Sequence, residues 1–322
     1  MLNYKEAILK TNSYKTVLKD KESGRLSHTY LLLSEDMQYC KHFAKEMARE
    51  ILDLDASSSG LIKLEKDIHP DVIVMGEDEK ITTPMASELS SDVCVRPYEA
   101  DKKIYILLNM QDVNEEAQNK LLKTIEEPPQ NVFFILASKT DRKLLQTVLS
   151  RSKKIELDLL GIETIKQMLE DCGVEKNQVE IFASCAGGVF SRAYKMATDK
   201  EFLKMYQNIF KCLERMNSSR DILEFTELFS SKNINKEELA DLFMIITRDL
   251  CMVKSGVEDL VNNKHKLNEM RGIVEKFSLT ALYKIIEYCL QLKEDLVYNT
   301  NITASIDEFL LKLVEVKVKC KN

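Results

Sequence analysis

No two of the eight cysteines form a C-x-x-C pair; they fall at positions 40, 94, 172, 185, 212, 251, 289 and 320. That scatter leaves neither a zinc clip nor a redox couple visible, and it suits a reducing cytosol in which most are small buried hydrophobes. A basic excess is missing too. With 46 Lys and Arg against 52 Asp and Glu, the net charge is -6 and the pI about 5.5. Such a chain has no general positive field to hold nucleic acid alone, so any DNA contact is expected to be local and shared with partners. No apolar run reaches membrane-spanning length, and the opening "MLNYKEAILKTNSYK" has no long apolar core. Both absences predict an unanchored, cytoplasmic protein. Proline stops early: Pro70, Pro84, Pro97, Pro128 and Pro129 are all five of them, and the remaining chain to residue 322 has none. That split predicts two architectures.

What is present fits the split. Apolar content of 44% and charged content of 30% describe a globular chain long enough for two or three domains. In the first half, "TYLLLS", "DVIVM", "IYILL", "VFFILAS" and "KKIEL" are short apolar runs bounded by turns and separated by amphipathic stretches. This predicts an α/β domain with a parallel sheet covered by helices. After Gly161 the period becomes 3.6: "ETIKQMLEDCG" is a helix closed by Gly173, and "QVEIFASCAGGVFSRAYKMA" is two helices broken at Gly187-Gly188. Long proline-free stretches such as "KEELADLFMIITRDLCMVK" and "LTALYKIIEYCLQLKEDLVYN" then predict a helical bundle. The expected domains are 1–160, 161–200 and 201–322. "DASSSG" at 55–60 reads as a flexible loop. The stretch 76–90, "GEDEKITTPMASELS", reads as a loop able to face a partner, its acidic start weighing against DNA.

The first strand runs into "LLLSEDMQYCKHFAKEMAREIL", where an α/β nucleotide-binding domain would carry the phosphate loop G-x-x-x-x-G-K-[ST]. Aligning Lys41 with the lysine puts Glu35 and Cys40 on the two glycines and His42 on the metal-binding hydroxyl. Glycine is needed there because the loop takes positive φ and approaches the phosphates closely. Glu35 adds a like charge, and two such charges about 4 Å apart repel by about 4 kcal/mol at an effective dielectric of about 20. Lys41 then reads as an exposed lysine at a helix start. The strand "IYILL" should end on acids that hold a metal and polarise water, yet it ends on Asn109 and Met110, which do neither. The helix after it is intact: Asn114 caps it, Glu115 and Glu116 suit its positive end, Ala117, Leu121, Leu122 and Ile125 form an apolar stripe, and Pro128 stops it. Taken by itself, "EEPP" is a helix stop with solvated charges. His69, before Pro70, reads as a turn residue because no second ligand lies at metal spacing.

"NEEAQNKLLKTIEEPPQNVFFILAS" followed by "LLQTVLSRSKKIEL", with the "HTYLLL" and "HPDVIVM" strands and "GGVFSRAYKMA" in that order, resembles the clamp-loader branch of the AAA+ ATPases over roughly residues 25–200. "LVYNTNITASIDEFLLKLVE" is similar to the branch's last collar helix. The resemblance implies an AAA+ α/β domain, a helical lid and a helical collar that joins a ring. A dead phosphate loop beside a kept Ser-Arg motif is similar to the branch's non-hydrolysing members. It implies that Arg151, with Ser150 before it, acts in trans as an arginine finger on the ATP of a neighbouring subunit. The implied partners are ATP-hydrolysing gamma or tau subunits and a delta subunit, with the sliding clamp and primed DNA reached through the complex. Arg192, and Ser138 with Lys139, fall where active relatives sense their own nucleotide and are expected to be structural or vestigial here. Two departures stand out: the interval "ILDLDASSSGLIKLEKDI" lacks the four zinc cysteines of many relatives, and Ser152 replaces the usual cysteine after Arg151. Neither bound nucleotide nor zinc is expected. The rival expectation is an active AAA+ ATPase with an unorthodox loop built on Lys41.

Overall fold

Each apolar run becomes a strand because it is short, rich in β-branched or aromatic residues, and ended by turn formers. The computed structural model describes residues 4–55, 57–231, 234–298 and 301–319. Two helices, α1 (Lys5–Lys10) and α2 (Asn12–Glu22), come first. Strands and helices then alternate as β1 (Thr29–Leu33), α3 (Met37–Ile51), α4 (Ser59–Glu65), β2 (Val72–Met75), α5 (Thr83–Asp92) and β3 (Lys103–Leu107). The series ends with α6 (Glu115–Glu126), β4 (Val132–Ser138), α7 (Gln146–Arg151) and β5 (Lys153–Glu156).

All strands are parallel, in the order β2-β3-β4-β1-β5, with Leu31 beside Leu136 and Ile106 beside Ile135. β4 is buried along its whole length, which is why it reads as an unbroken apolar run. Tyr105, Leu107, Leu121, Ile125, Phe134 and Leu136 lie in one core with α5, α6 and α7. This is the expected α/β architecture, a parallel sheet covered by helices, followed by an all-helical region. Two expectations need correcting. Ser58 caps α4, so "DASSSG" is half helix start, and α5 begins at Thr83 inside the stretch taken as a loop. Short helices built on Ser, Thr and one Pro at the start carry little apolar periodicity to announce them.

The chain divides into two compact units, the first running to Thr164 and taking in Val189–Ser191, the second holding Ile165–Gly188 and the chain from Arg192 onward. The remaining helices are α8 (Ile162–Asp171), α9 (Lys176–Cys185), α10 (Phe190–Thr198), α11 (Lys200–Arg215) and α12 (Ser219–Ser230). They continue with α13 (Lys236–Lys254), α14 (Leu267–Val274), α15 (Leu279–Tyr298) and α16 (Ile302–Lys319). Gly173, Gly187 and Gly188 take positive φ at the breaks where the sequence places them. Within the second unit a ladder of rings, Phe225, Phe229, Phe243 and Phe309, ties α12, α13 and α16 together. In its interior the fully buried Asp249 accepts the backbone N–H groups of Asn262 and Asn263 and the Asn263 amide. Cys40, Cys185, Cys212, Cys251 and Cys289 are buried, Cys94 is exposed, and Cys320 lies outside the described residues. Among the described residues no helix is long and apolar enough to cross a membrane.

One carboxylate organises the edge of the first unit. Asp71, 1% exposed, accepts the backbone N–H groups of Tyr98, Glu99 and Ala100 at 2.5, 2.8 and 2.8 Å. His69 Nδ1 in turn accepts the Asp71 N–H, the turn role expected of it. Burial alone would raise the Asp71 pKa, but the three N–H donors outweigh it and hold the carboxyl below its usual range. A depressed carboxyl contributes stability that is present above the unfolded pKa of about 4 and is lost as pH falls through the lower folded value. Asp71→Asn is expected to cost about 1–3 kcal/mol at pH 7 in urea unfolding and to flatten the fall in stability below about pH 4.

Candidate functional site

In a parallel α/β sheet the loops that do chemistry leave the carboxyl ends of the strands. There β1 leads to Glu35 and Asp36, β2 to Gly76 and Glu77, β3 to Asn109, and β4 to Ser138. Asp36, Glu77, Asn109 and Ser138 along this edge each have a partner within the chain.

At the end of β1, Asp36 is the N-cap of α3 and accepts the Tyr39 N–H at 3.1 Å. Its second oxygen accepts the Ser191 N–H at 3.0 Å and the Tyr4 hydroxyl at 3.3 Å. A helix N-terminus is an anion site because its first N–H groups lack partners. Here an anion of the chain itself already stands at that end. Fully buried Tyr4 stacks on Tyr39 and His42, ring centroids 5.7 and 4.9 Å apart, and meets Phe190 edge-on at 5.5 Å. Burial, then the charges of Lys45 and Lys41, push the His42 imidazole down to about 4, so it is neutral at pH 7. Cys40 is wholly buried, and burial pushes its thiol far up, which keeps it protonated.

Lys41 departs from expectation. It lies in the second turn of α3 with its side chain only 11% exposed, and its Nζ pairs with Glu77 Oε2 at 2.5 Å and Asp67 Oδ2 at 3.0 Å. Lys45 reaches the other Asp67 oxygen at 2.7 Å. Burial would lower the Lys41 pKa, but hydrogen bonds to Glu77 and Asp67 outweigh it and hold the ammonium above its usual value. The lysine expected at the surface is thus an internal tie between α3, the turn after α4 and the turn after β2. Glu35 remains exposed.

The second constellation is closed in the same way. Asn109 sits at φ 54°, and its Nδ2 donates to Gly76 O at 2.8 Å. Gly76 has φ +83°, and a Cβ there would meet Leu108 O at 2.3 Å, so only glycine lets the two strand ends come this close. Met110 is fully buried in the core. Ser138 Oγ lies 3.0 Å from Gln111 Oε1 and 2.7 Å from Thr140 O, and the Lys139 N–H donates to Gln111 Oε1. In the second unit, Arg192 is buried, donating to Ala186 O and pairing with Asp241 at 3.2 Å; Lys293 completes that cluster at 2.6 Å from Asp241.

Arg151 is different. It is the last residue of α7, and its side chain is 38% exposed. Nη1 donates to Thr147 O and Ser150 Oγ, both at 3.1 Å, while Nε pairs with Glu126 Oε1 at 2.9 Å. Glu126 closes α6, and the pre-proline residue Glu127 leaves the helix at φ -127°, ψ 64°, as the ring of Pro128 demands. Glu126 stays exposed, as the solvated reading of "EEPP" has it, and in addition pairs with Arg151. The dipole of α7 favours the guanidinium at its carbonyl end, and the guanidinium offsets the Glu126 carboxylate, which stands at the disfavoured end of α6. Reasoning from residue patterns missed Glu126, Asp36, Asp67, Glu77 and Tyr4. Of these only Asp36 has a local signal, an acid three residues before the first buried aromatic of a helix.

With this geometry described, known proteins can be compared. The family model "DNA polymerase III, delta subunit" matches residues 9–160, and "DNA polymerase III, delta subunit, C terminal" matches residues 200–313. The delta' subunit of DNA polymerase III from Bacillus subtilis is 22% identical over 306 residues, 91% of this chain and 93% of that one. This chain belongs to the DNA polymerase III clamp-loader subunits, delta-prime type. The tau subunit of Bacillus subtilis is 24% identical over 276 residues, 77% of this chain but 45% of tau. Among solved structures, a gamma-subunit-related protein of Thermotoga maritima aligns with 94% of this chain and 99% of its own, at 17% identity and a TM-score of 0.46.

In this clamp-loader subunit, Lys41→Ala is expected to cost about 1–3 kcal/mol in urea unfolding, since it leaves Glu77 and Asp67 short of a partner in a half-buried place. A lysine serving only as a solvated helix start would change stability by no more than about 0.5 kcal/mol.

Proposed function

We propose that this chain is a non-hydrolysing member of a clamp-loader ring, present to stack between related subunits and to aim Arg151 at a neighbour's ATP. The observation that carries the reading is a contrast within one domain. Lys41, the lysine that would meet phosphate, is bound by two carboxylates of its own chain, whereas Arg151 stands exposed at the end of a helix.

The roles follow from the chemistry. A guanidinium set against a γ-phosphate offsets the charge that develops during hydrolysis, and arginine fingers contribute about 10³- to 10⁵-fold in rate. Ser150, whose oxygen accepts from Arg151, shares that helix end. The ATP would be held by a gamma- or tau-type subunit, with a delta subunit completing the loader. The work of the assembly is placing the sliding clamp on primed DNA in the cytoplasm. The net charge of -6 favours DNA contact through the complex rather than through this chain alone. We assign residues 1–160 to the AAA+ domain, 161–200 to the lid and 201–322 to the ring-forming collar. Neither bound nucleotide nor zinc is part of this reading.

A chain whose own loop used Lys41 would bind ATP with micromolar affinity. Titrating labelled ATP against the isolated subunit is expected to give no saturable binding in that range, and micromolar binding would establish the ATPase alternative instead. Arg151→Ala is expected to depress DNA-stimulated ATP turnover of the assembled loader while leaving assembly intact. Parental turnover would refute the trans role.

A further inference from the structure

We propose that Glu126 is the positioning residue for Arg151, pinning the guanidinium so that a neighbouring subunit's phosphate meets it already oriented. This rests on the finger reading given above.

The contact has an unusual economy. Arg151 and Glu126 each end a helix, so the backbone from which each side chain springs is fixed by α7 or α6. Pro128 and Pro129 forbid further helix after Glu126, which fixes where its carboxylate emerges. Three protein groups then grip one guanidinium: Glu126 Oε1 on Nε, and Thr147 O and Ser150 Oγ on Nη1. Among the described residues no hydrogen bond or ion pair engages Nη2, and that nitrogen is left for an incoming phosphate oxygen.

Stability does not account for the pair. Both side chains are more than a third exposed, 38% and 40%, and ion pairs this open are screened and contribute little to folding. Geometry accounts for it better. A free arginine side chain samples many rotamers and must lose them as it engages phosphate; one held at Nε and Nη1 has already lost them. Preorganised charge acts in the transition state without reorganising first, and misplacement by about 1 Å can cost on the order of 10²-fold in rate. No bond to Arg151 or Glu126 forms or breaks in this role. The carboxylate orients, and the guanidinium offsets charge on the phosphoryl oxygens.

The test uses the full chain assembled with its ATPase subunits, clamp and primed DNA. Glu126→Ala is expected to lower kcat for ATP roughly tenfold, with KM and assembly unchanged. Glu126→Gln, whose amide oxygen can take the place of Oε1 beside Nε, is expected to restore kcat to within about threefold of the parent. Adding Glu126→Ala to Arg151→Ala is expected to change nothing further, because two residues acting as one unit are not additive. Parental or raised kcat in Glu126→Ala, a loss confined to KM, or a loss that adds to that of Arg151→Ala would each overturn the proposal. If Arg151→Ala itself keeps parental turnover, the finger reading falls and takes this proposal with it. If Arg151→Ala is slow while Glu126→Ala is not, only the positioning role is lost.

Discussion

Parallel pairing is the constraint behind the rest of the first unit. Parallel neighbours cannot be joined by a tight hairpin, so each strand must be followed by a crossover that returns the chain to the far end of the sheet. All four connections between the five strands obey this, and the strands' carboxyl ends are gathered along one rim. The segments after β1, β2, β3 and β4 are thereby brought within reach of one another, even though Glu77 and Lys41 are 36 residues apart in the chain. A nucleotide-hydrolysing relative would use such a rim for phosphate, metal and water. In this subunit the same rim is laced by internal contacts: Asp36 on the start of α3, Lys41 on Glu77 and Asp67, Asn109 on Gly76, Ser138 beside Gln111.

The sheet explains the coexistence of closed and open features. Losing the acids after β3 does not disturb the strand, because Met110 packs fully into the core and Asn109 adopts a left-handed turn closed by its own amide. Helix α6 continues from there, its start fixed by Asn114, whose side-chain oxygen accepts the Ala117 N–H at 2.8 Å. Ala117, Leu121 and Ile125 then seat the helix on the sheet. That seat determines where Glu126 emerges and hence where Arg151 is met. The link from an apolar stripe to a surface guanidinium passes through packing at every step.

Local chemistry was the legible part of this molecule. Five apolar runs bounded by turns give five strands, the Asn114 cap and Pro128 stop bracket α6, and paired glycines break α9 from α10, because each of these signals lies within a few residues of its effect. Long-range charge was not legible. Lys41 looked like a solvated helix residue because its carboxylates come from the turns after α4 and β2, and no periodicity connects those stretches. Glu126 and Arg151 are 25 positions apart on separate helices, and only the packed sheet reveals them as neighbours. Helices α4 and α5 escaped because polar side chains dominate them, leaving a thin apolar stripe.

The tie at Lys41 bears on how this lineage can change. Reintroducing glycine at 35 and 40 and a hydroxyl at 42 would rebuild the consensus of a phosphate loop, yet the ammonium would still be engaged by Glu77 and Asp67, and Asp36 would still stand at the head of the helix. Freeing the ammonium would demand further substitutions at Glu77 and Asp67, on two other turns, and a change at Asp67 would also cost Lys45 its ion pair. Positions coupled in this way resist change by single steps.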